Sequence, residues 1–157
     1  MAMERQTWET AEREGFRTVR QIAVFLDNRV GQLLRITQLF EAQDIRIHAL
    51  SVVDASDCAI VRLLFDLPDE ALKVLRDAGF AVSVSELVVV RLPQGKRGLL
   101  AVWSALLSSE INIGYAYPLL PTSVGPAIAL HVDNIEIAID TLMTKGFYVL
   151  GEPDLAG

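Results

Sequence analysis

An internal duplication constrains the fold of this 157-residue chain more than any other feature of its sequence. Leu33-Leu34 recurs 66 positions later as Leu99-Leu100, and Gly79-Phe80 recurs 67 positions later as Gly146-Phe147. Apolar and acidic positions between these pairs match in the same order. Matches in type and order over such a distance indicate two copies of one module.

Each copy shows the pattern of a strand, a helix, two strands, a helix and a strand. For the first copy, the pattern predicts strands over 19–26, 45–53, 59–65 and 80–84, a helix over 31–42, and a second helix that Pro68 opens and Gly79 closes. The order βαββαβ in about 66 residues is that of a ferredoxin-like fold. We therefore predict the α+β class, with two tandem ferredoxin-like βαββαβ modules whose antiparallel sheets carry helices on one face.

The second copy follows the first almost without a linker. A strand over 87–92 begins close to the end of the first copy, and the first 18 residues differ in composition from the remainder. We predict a flexible or weakly helical N-terminal extension over 1–18, a first domain over 19–86 and a second domain over 87–157. Trp8 and Phe16 of the extension could pack on the body or on a neighbouring chain.

Charge and composition exclude several classes of protein. The net charge of −6 at pH 7 argues against nucleic-acid binding, since phosphate backbones are bound by clustered Lys and Arg. No apolar run reaches about 18 residues, the length of a membrane-spanning helix, and the N-terminus lacks a secretory pattern. Cys58 is the only cysteine, so neither an intrachain disulfide nor a cysteine-based zinc site is expected. We expect a cytoplasmic protein that binds neither nucleic acid nor membrane.

The turn between the first strand and the first helix is the candidate binding site. Asp27 and Asn28 are helix-capping types, and Gly31 permits a sharp turn. Free backbone N–H groups at a helix start attract a carboxylate or a phosphate. The side-chain oxygens of Asp27 and Asn28 could accept hydrogen bonds from a ligand ammonium group, or they could simply cap the helix. The candidate ligand-binding residues of this turn are Asp27, Asn28, Arg29, Val30, Gly31, Gln32 and Leu33.

The turn and the segments after it resemble the opening of an ACT domain. The resemblance rests on Asp27-Asn28, Gly31, Leu33, the apolar stripe of the helix, Asp44 and Ile45-Arg46-Ile47. ACT domains are small regulatory βαββαβ modules that bind amino acids and similar ligands. From residue 19 onward, the chain resembles bacterial proteins made of two tandem ACT domains.

The chain departs from the family pattern in both repeats. Val30 stands where the family usually has Pro. In the second repeat the Gly is displaced by one position, to Gly98, and Lys96-Arg97 replace Asp27-Asn28. The resemblance therefore implies that the two repeats do not bind ligands equally.

The resemblance also implies where a ligand would lie. Such modules pack side by side through their second strands, and ligands bind at the seam. This packing would bring the second strand of the first repeat near aromatic residues of the second repeat. It adds Ser51, Asp54, Tyr115 and Tyr117 to the candidate ligand-binding residues. The two tyrosines could instead be half-buried strand residues whose hydroxyls reach water.

We expect no catalytic, cofactor or metal site. His48 and His131 are the only histidines, and nothing near them has the spacing of metal ligands. We expect His48 on the outward face of its strand. The segment Gly95-Lys96-Arg97-Gly98 lacks the full spacing of a phosphate-binding loop.

Three classes of function remain. The first is an allosteric regulatory protein that binds an amino acid at the seam and signals through an unknown protein partner or a homo-oligomer such as a dimer. The second is an interaction module that binds no ligand and pairs through exposed strand edges. The third is an enzyme, which would need an acid–base cluster or a cofactor site that the sequence does not show. The resemblance favours the first class.

Overall fold

The computed structural model describes residues 17–27 and 30–156 of the chain. The predictions for residues 1–16, including Trp8 and Phe16, and for Asn28 and Arg29 lie outside these residues. The described elements, in chain order, are β1 (Val19–Asp27), α1 (Gln32–Ala42), β2 (Ile47–Asp54), β3 (Cys58–Phe65), α2 (Pro68–Asp77), β4 (Ala81–Arg91), α3 (Gly98–Ser108), β5 (Ile113–Pro118), β6 (Ala127–Val132), α4 (Ile135–Thr144), β7 (Val149–Leu150) and α5 (Glu152–Leu155).

Local sequence accounts for the ends of the first two helices. Pro68 occupies the first turn of α2, where Asp69 and Glu70 suit the positive end of the helix. Gly79 follows α2 with a φ of 87°, and Gly31 precedes α1 with a φ of 89°. The predicted positions of both helices are confirmed to within a residue or two. No helix in the described part of the chain is long and apolar enough to cross a membrane.

The strands form one antiparallel sheet in the order β2-β3-β1-β4-β6-β5, with β7 also paired to β4. The element order is βαββαβ twice, which confirms the prediction of two tandem ferredoxin-like modules. The first module runs from β1 into β4, and the second module runs from β4 to β7.

β4 belongs to both modules. Its segment 81–87 pairs with β1, and its segment 88–91 pairs with β6. β7 pairs with Val89 and Val90. The sequence predicted two strands here, but they are one, because no turn interrupts the chain where the pairing partner changes. The domain boundary proposed between 86 and 87 falls inside this strand and stays a prediction.

The sheet has an outer face, covered by helices, and an inner face. Ile22 and Val24 of β1 point outward into a core beneath α1 and α2. Val88 and Val90 of β4 point outward into a second core beneath α3 and α4. The inner face forms a third core from residues of both modules, namely Val19, Ala49, Leu64, Leu87, Val89, Tyr117, Ala127, Ala129, Leu150 and Leu155. The helices thus lie on one face of each module, as predicted.

The sheet curls until its two end strands come near each other. The backbone N–H of Leu120, just after β5, donates to the C=O of His48 in β2 over 2.7 Å. The resemblance implied that the modules pack side by side through their second strands. The structure joins them instead through β4 and through their inner faces, and the curl alone brings β2 close to the end of β5.

Candidate functional site

The turn after β1 leaves the start of α1 open to solvent. Asp27 is the last residue of β1 and is exposed, as are Val30, Gly31 and Leu33. Gly31 occupies the N-cap position and has no side chain to cap the helix, and the first turn of α1 carries no acidic residue. The alternative explanation of Asp27 as the helix cap therefore fails. Backbone N–H groups at this helix start can hold an anion.

Asp54 is the last residue of β2 and lies near the same turn, but its side chain points to the outer face of the sheet, opposite to that of Asp27. Ala59 of β3 lies between Asp54 of β2 and Leu26 of β1 in the pairing register. Side chains in one row across a sheet share a face, so Asp54 points outward with Leu26. Asp27, the next residue along β1, points inward.

Tyr115 and Tyr117 lie near the opposite end of β1, around Gln21. The Nε2 of Gln21 donates to the Tyr115 hydroxyl over 2.9 Å and to the Ser85 hydroxyl over 3.1 Å. The Tyr117 hydroxyl donates to the Oε1 of Gln21 over 2.6 Å. Gln21 is 2% exposed and Tyr117 is 5% exposed. These shielded bonds hold the inner faces of the two modules in one arrangement.

Burial raises the pKa of the Tyr117 hydroxyl well above its usual range. The neighbouring Tyr115 raises this pKa further, and the Arg62 guanidinium opposes the change. The hydroxyl therefore stays protonated at neutral pH, as its hydrogen bond to Gln21 requires. This bond gives Tyr117 a structural role inside the protein.

Arg62 brings a positive charge to the same region. Its Cζ lies 3.9 Å from the centre of the Tyr115 ring, and Ser51 is its partner across β2 and β3. His131 stacks on Tyr115 with 4.6 Å between ring centres. Among the residues that the structure describes, Arg62 forms no salt bridge. Its guanidinium can therefore attract an anion.

Sequence reasoning missed both Arg62 and Gln21. Each is a polar residue inside a mostly apolar strand, and that position was the available signal. A long polar side chain in a buried strand needs a partner. The partners lie far along the chain, so the sequence alone could not identify them.

The candidate residues thus fall into two groups in a single chain. Asp27, Val30, Gly31, Gln32 and Leu33 lie at one end of β1, with Asp54 nearby. Ser51, Tyr115 and Tyr117 lie toward the other end, near Arg62 and Gln21. Gln21 and Asp27 are six positions apart in β1, which is about 20 Å along the strand. One amino acid cannot contact both groups in the same chain.

The structure also describes the surroundings of His48 and Gly98. His48 is 4% exposed, and its Nε2 lies 2.8 Å from the C=O of Leu155, so the prediction that it faces outward is wrong. A Cβ on Gly98 would lie 2.6 Å from the C=O of Pro93, so this glycine allows a close approach of two backbone segments. No cluster of possible metal ligands occurs within the described residues.

Two grooves of the first module lie away from the candidate ligand-binding residues. One groove of about 630 Å³ runs between α1 and α2, and another of about 370 Å³ lies beside Phe40 and His48. Neither groove is lined by the turn residues or by the tyrosines. The candidate residues lie on open surface or in packed core.

Comparisons with known proteins identify the fold. Protein BT0572 from Bacteroides thetaiotaomicron has a similar structure, with a TM-score of 0.82 and 26% identity over 90% of this chain and 98% of that one. The regulatory subunit of aspartate kinase from Thermus thermophilus, in its ligand-free form, gives a TM-score of 0.58 at 14% identity, over 83% of this chain and 94% of that one. The corresponding subunit from Thermus flavus gives 0.52 at 16% identity, over 82% and 93%. The two Thermus structures share the fold alone.

A search of curated protein sequences gave no match. A family model described as an ACT domain pair matches residues 17–157, which is all of the chain after the first 16 residues. The repeated βαββαβ order agrees with that match. On this evidence, the chain belongs to the ACT domain pair family.

Proposed function

We propose that this protein is a regulatory small-molecule-binding protein, and that its ligand is an amino acid bound at the start of α1. One observation carries the proposal: an uncapped helix start lies beside an exposed carboxylate, that of Asp27. An amino acid carries its carboxylate and its ammonium group on the same carbon atom, two bonds apart. The two halves of this site complement those two charges.

The chemistry assigns a role to each part of the turn. Backbone N–H groups of Gly31, Gln32 and Leu33 would hold the ligand carboxylate, assisted by the helix dipole. The Asp27 carboxylate would accept hydrogen bonds from the ammonium group. Asn28, Arg29 and Val30 complete the proposed turn, and the proposed contacts at the seam are Ser51, Asp54, Tyr115 and Tyr117.

The similar structures support a regulatory role. Two of them are regulatory subunits of aspartate kinase, an enzyme of amino-acid metabolism by its name. In the proposal, the protein acts in the cytoplasm and performs no catalysis itself. Ligand binding shifts the population of its conformations, and a protein partner or a second copy detects the shift.

A thermal-shift panel of the twenty amino acids, followed by calorimetry, tests the proposal. A ligand at a hundredfold excess over its Kd stabilises the fold by about 2.7 kcal/mol, which is easily detected. Asp27→Asn should weaken binding at least about tenfold, because a charge-assisted hydrogen bond is lost. Asp77→Asn, at the exposed end of α2, is the matched control and should bind normally.

The 2-oxo acid that corresponds to any hit provides a second check. It keeps the carboxylate and the side chain but lacks the ammonium group, so it should bind far more weakly. Equal binding of both compounds, or equal effects of the two Asp variants, would contradict the proposed site. A panel without any hit would instead favour the ligand-free interaction module.

A further inference from the structure

The outer side of helix α3, in the second module, is apolar although it is exposed. Leu99, Leu100 and Leu107 are exposed, and Trp103 between them is half-buried. Residues three and four positions apart lie on one side of a helix, so these four side chains form one stripe, the α3 stripe. The opposite side of α3 packs into the core of the second module. A helix that is apolar on both sides normally has packing partners on both sides.

The internal duplication provides a direct comparison for this surface. Helix α1 of the first module corresponds to α3 at an offset of 66 positions. Thr37 of α1 corresponds to Trp103, and Glu41 of α1 corresponds to Leu107. α3 contains no charged residue, whereas α1 carries Arg35 and Glu41. The module can therefore fold with a polar helix surface at this place, so the α3 stripe is explained by a contact that only the second module makes.

Opposite charges lie beyond the two ends of the α3 stripe. Lys96 and Arg97 come just before α3, and Glu110 comes two residues after it. All three side chains are exposed, and none of them takes part in a salt bridge within the described part of the chain. Trp103 is seven positions after Lys96 and seven positions before Glu110. The stripe is therefore centred on Trp103, with positive charge at one end and negative charge at the other.

We infer that a second copy of this chain docks on the α3 stripe, with the two α3 helices antiparallel. A twofold axis passes between the two Trp103 side chains and brings Leu99 of each copy onto Leu107 of the other. Lys96 of each copy then lies close to Glu110 of the other, as the self-complementarity of an isologous interface requires. The antiparallel arrangement also places the positive N-terminal end of each helix beside the negative C-terminal end of its partner.

The shape and the charges favour a second copy over other occupants. The grooves between α1 and α2, beside Phe147 and beside Phe40 are lined by other residues, so a small molecule would meet an open helix surface on the α3 stripe. Helices that lie on a membrane surface carry Lys and Arg on their polar side, and α3 has no charged residue. A stripe with one positive and one negative end matches an inverted copy of itself.

This interface is separate from the proposed ligand site. None of the candidate ligand-binding residues belongs to the α3 stripe, and the interface leaves the sheet and the first module uncovered. Helix packing brings two helix axes to within about 8–10 Å, which lets Leu and Trp side chains of the two copies interlock. The inference therefore does not rest on the proposed function.

Sedimentation velocity of the full chain without added ligand tests the inference. Since the stripe is only one helix long, association should be weak, and the dimer should appear as the protein concentration rises from about 1 μM to about 500 μM. Leu107→Glu gives α3 the residue that α1 has at the corresponding position. It should weaken association at least about tenfold, because it places an unpaired carboxylate against Leu99 of the other copy. Leu107 is 75% exposed, so the monomer should fold normally.

A matched control comes from the first module. Leu34 of α1 corresponds to Leu100 of α3, and the two side chains are 60% and 56% exposed. Leu100→Glu should weaken association at least about tenfold, whereas Leu34→Glu should leave it unchanged. The two variants make the same chemical change at similar exposure, so a difference between them assigns the interface to α3.

A charge exchange tests the antiparallel arrangement. Lys96→Glu and Glu110→Lys should each weaken association about threefold, because each places like charges close together at the edge of the interface. The double variant Lys96→Glu/Glu110→Lys should restore association to within about twofold of the wild type. Both side chains are exposed outside α3, so neither change removes a contact from the core.

Tryptophan fluorescence reports on the centre of the interface directly. The chain has two tryptophans, Trp8 and Trp103, so Trp103 is the only one left in a Trp8→Phe variant. Its emission should move to shorter wavelength over the same concentration range in which the dimer forms, because the half-buried ring loses its remaining contact with water. The same variant with Leu107→Glu should show no such change.

Several outcomes would overturn the inference. They are a monomer at every concentration, a dimer that Leu107→Glu leaves intact, and a dimer that Leu34→Glu weakens as much as Leu100→Glu does. Failure of the charge-exchanged double variant to associate would contradict the antiparallel arrangement. A full chain that stays monomeric, but dimerises once residues 1–16 are removed, would assign the α3 stripe to that segment instead of a second copy.

Discussion

Gln21 is the buried polar residue at which the inner faces of the two modules meet. Its amide makes three hydrogen bonds, with Ser85, Tyr115 and Tyr117, and each nitrogen or oxygen has a partner of the right kind. Apolar packing alone would allow the two faces to slide. Because an unpaired polar group in a core is costly, the amide selects one relative position of the modules.

The raised pKa of Tyr117 predicts a loss of stability at high pH. Tyrosine in an unfolded chain ionises near pH 10, whereas the buried hydroxyl keeps its proton to higher pH. Above about pH 10 the unfolded state therefore holds fewer protons than the folded state, and the free energy of unfolding falls by up to about 1.4 kcal/mol per pH unit. Urea unfolding between about pH 8 and pH 11 measures this fall.

Tyr117→Phe should remove this contribution to the pH dependence. The variant starts less stable at neutral pH, by about 1–3 kcal/mol, because the Oε1 of Gln21 loses its donor. The difference between wild type and variant should then shrink above pH 10. Tyr148→Phe, which removes the hydroxyl of a 39% exposed tyrosine, is the control for the loss of a phenol group. Parallel pH profiles for wild type and Tyr117→Phe would contradict the prediction.

At the scale of elements, the two strand–helix turns use glycine for different reasons. Gly31 has a φ of 89° and open space around its Cα, so alanine there suffers backbone strain alone. That strain should destabilise the fold by about 1–2 kcal/mol. Gly98 has no such φ, but its added Cβ would lie 2.6 Å from the C=O of Pro93.

Gly98→Ala should therefore lower the free energy of unfolding by about 2–3 kcal/mol, which is more than for Gly31→Ala, because the backbone at Pro93 must move. Chemical unfolding measures both values. Gly31→Asn is the control, because asparagine tolerates the left-handed region, and it should recover part of the loss at that position. A neutral Gly98→Ala would show that the Pro93 segment moves freely.

Sequence patterns predicted elements whose causes are local. The helix that begins at Pro68 and the left-handed turn at Gly79 depend on neighbouring residues, and the two modules follow from the duplication. The burial of His48 could not be predicted, because its partner is the C=O of Leu155, 107 residues away. Arg62 and Gln21 were missed for the same reason. The turn at Gly31, where the proposed site lies, was predicted from local signals, but its distance from the tyrosines depends on how the sheet curls.

At the scale of the whole molecule, contacts between the two modules join them into one structural unit. Arg20 of β1 binds Glu152 of α5 over 2.9 Å, and it also contacts Asp69 at the start of α2. Both acidic groups raise the pKa of Arg20, so it stays charged. Together with β4 and the inner core, this contact ties the end of the chain to its first strand.

We therefore predict a single cooperative unfolding transition. Leu64 belongs to the first module and is fully buried in the inner core. Leu64→Ala should lower the free energy of unfolding by about 2–5 kcal/mol, and amide exchange should report the same loss for β1 and for β6. Leu107→Ala, at a 75% exposed position of α3, is the control and should change little. A loss confined to β1 would show that the modules unfold separately.

Because both modules share the strand β4, the number of residues that separates equivalent positions of the two copies along this strand must be even. Side chains alternate between faces along a strand, so an offset of 66 keeps Ile22 and Val88 on the outer face, and likewise Val24 and Val90. Deleting one residue from β4 would turn Val88 and Val90 toward the inner face. The packing of the second module against these valines would then be lost. Deleting two residues would preserve the faces and shift only the register. A duplication joined through one strand can therefore change its length in pairs of residues, whereas a duplication joined by a flexible linker has no such restriction.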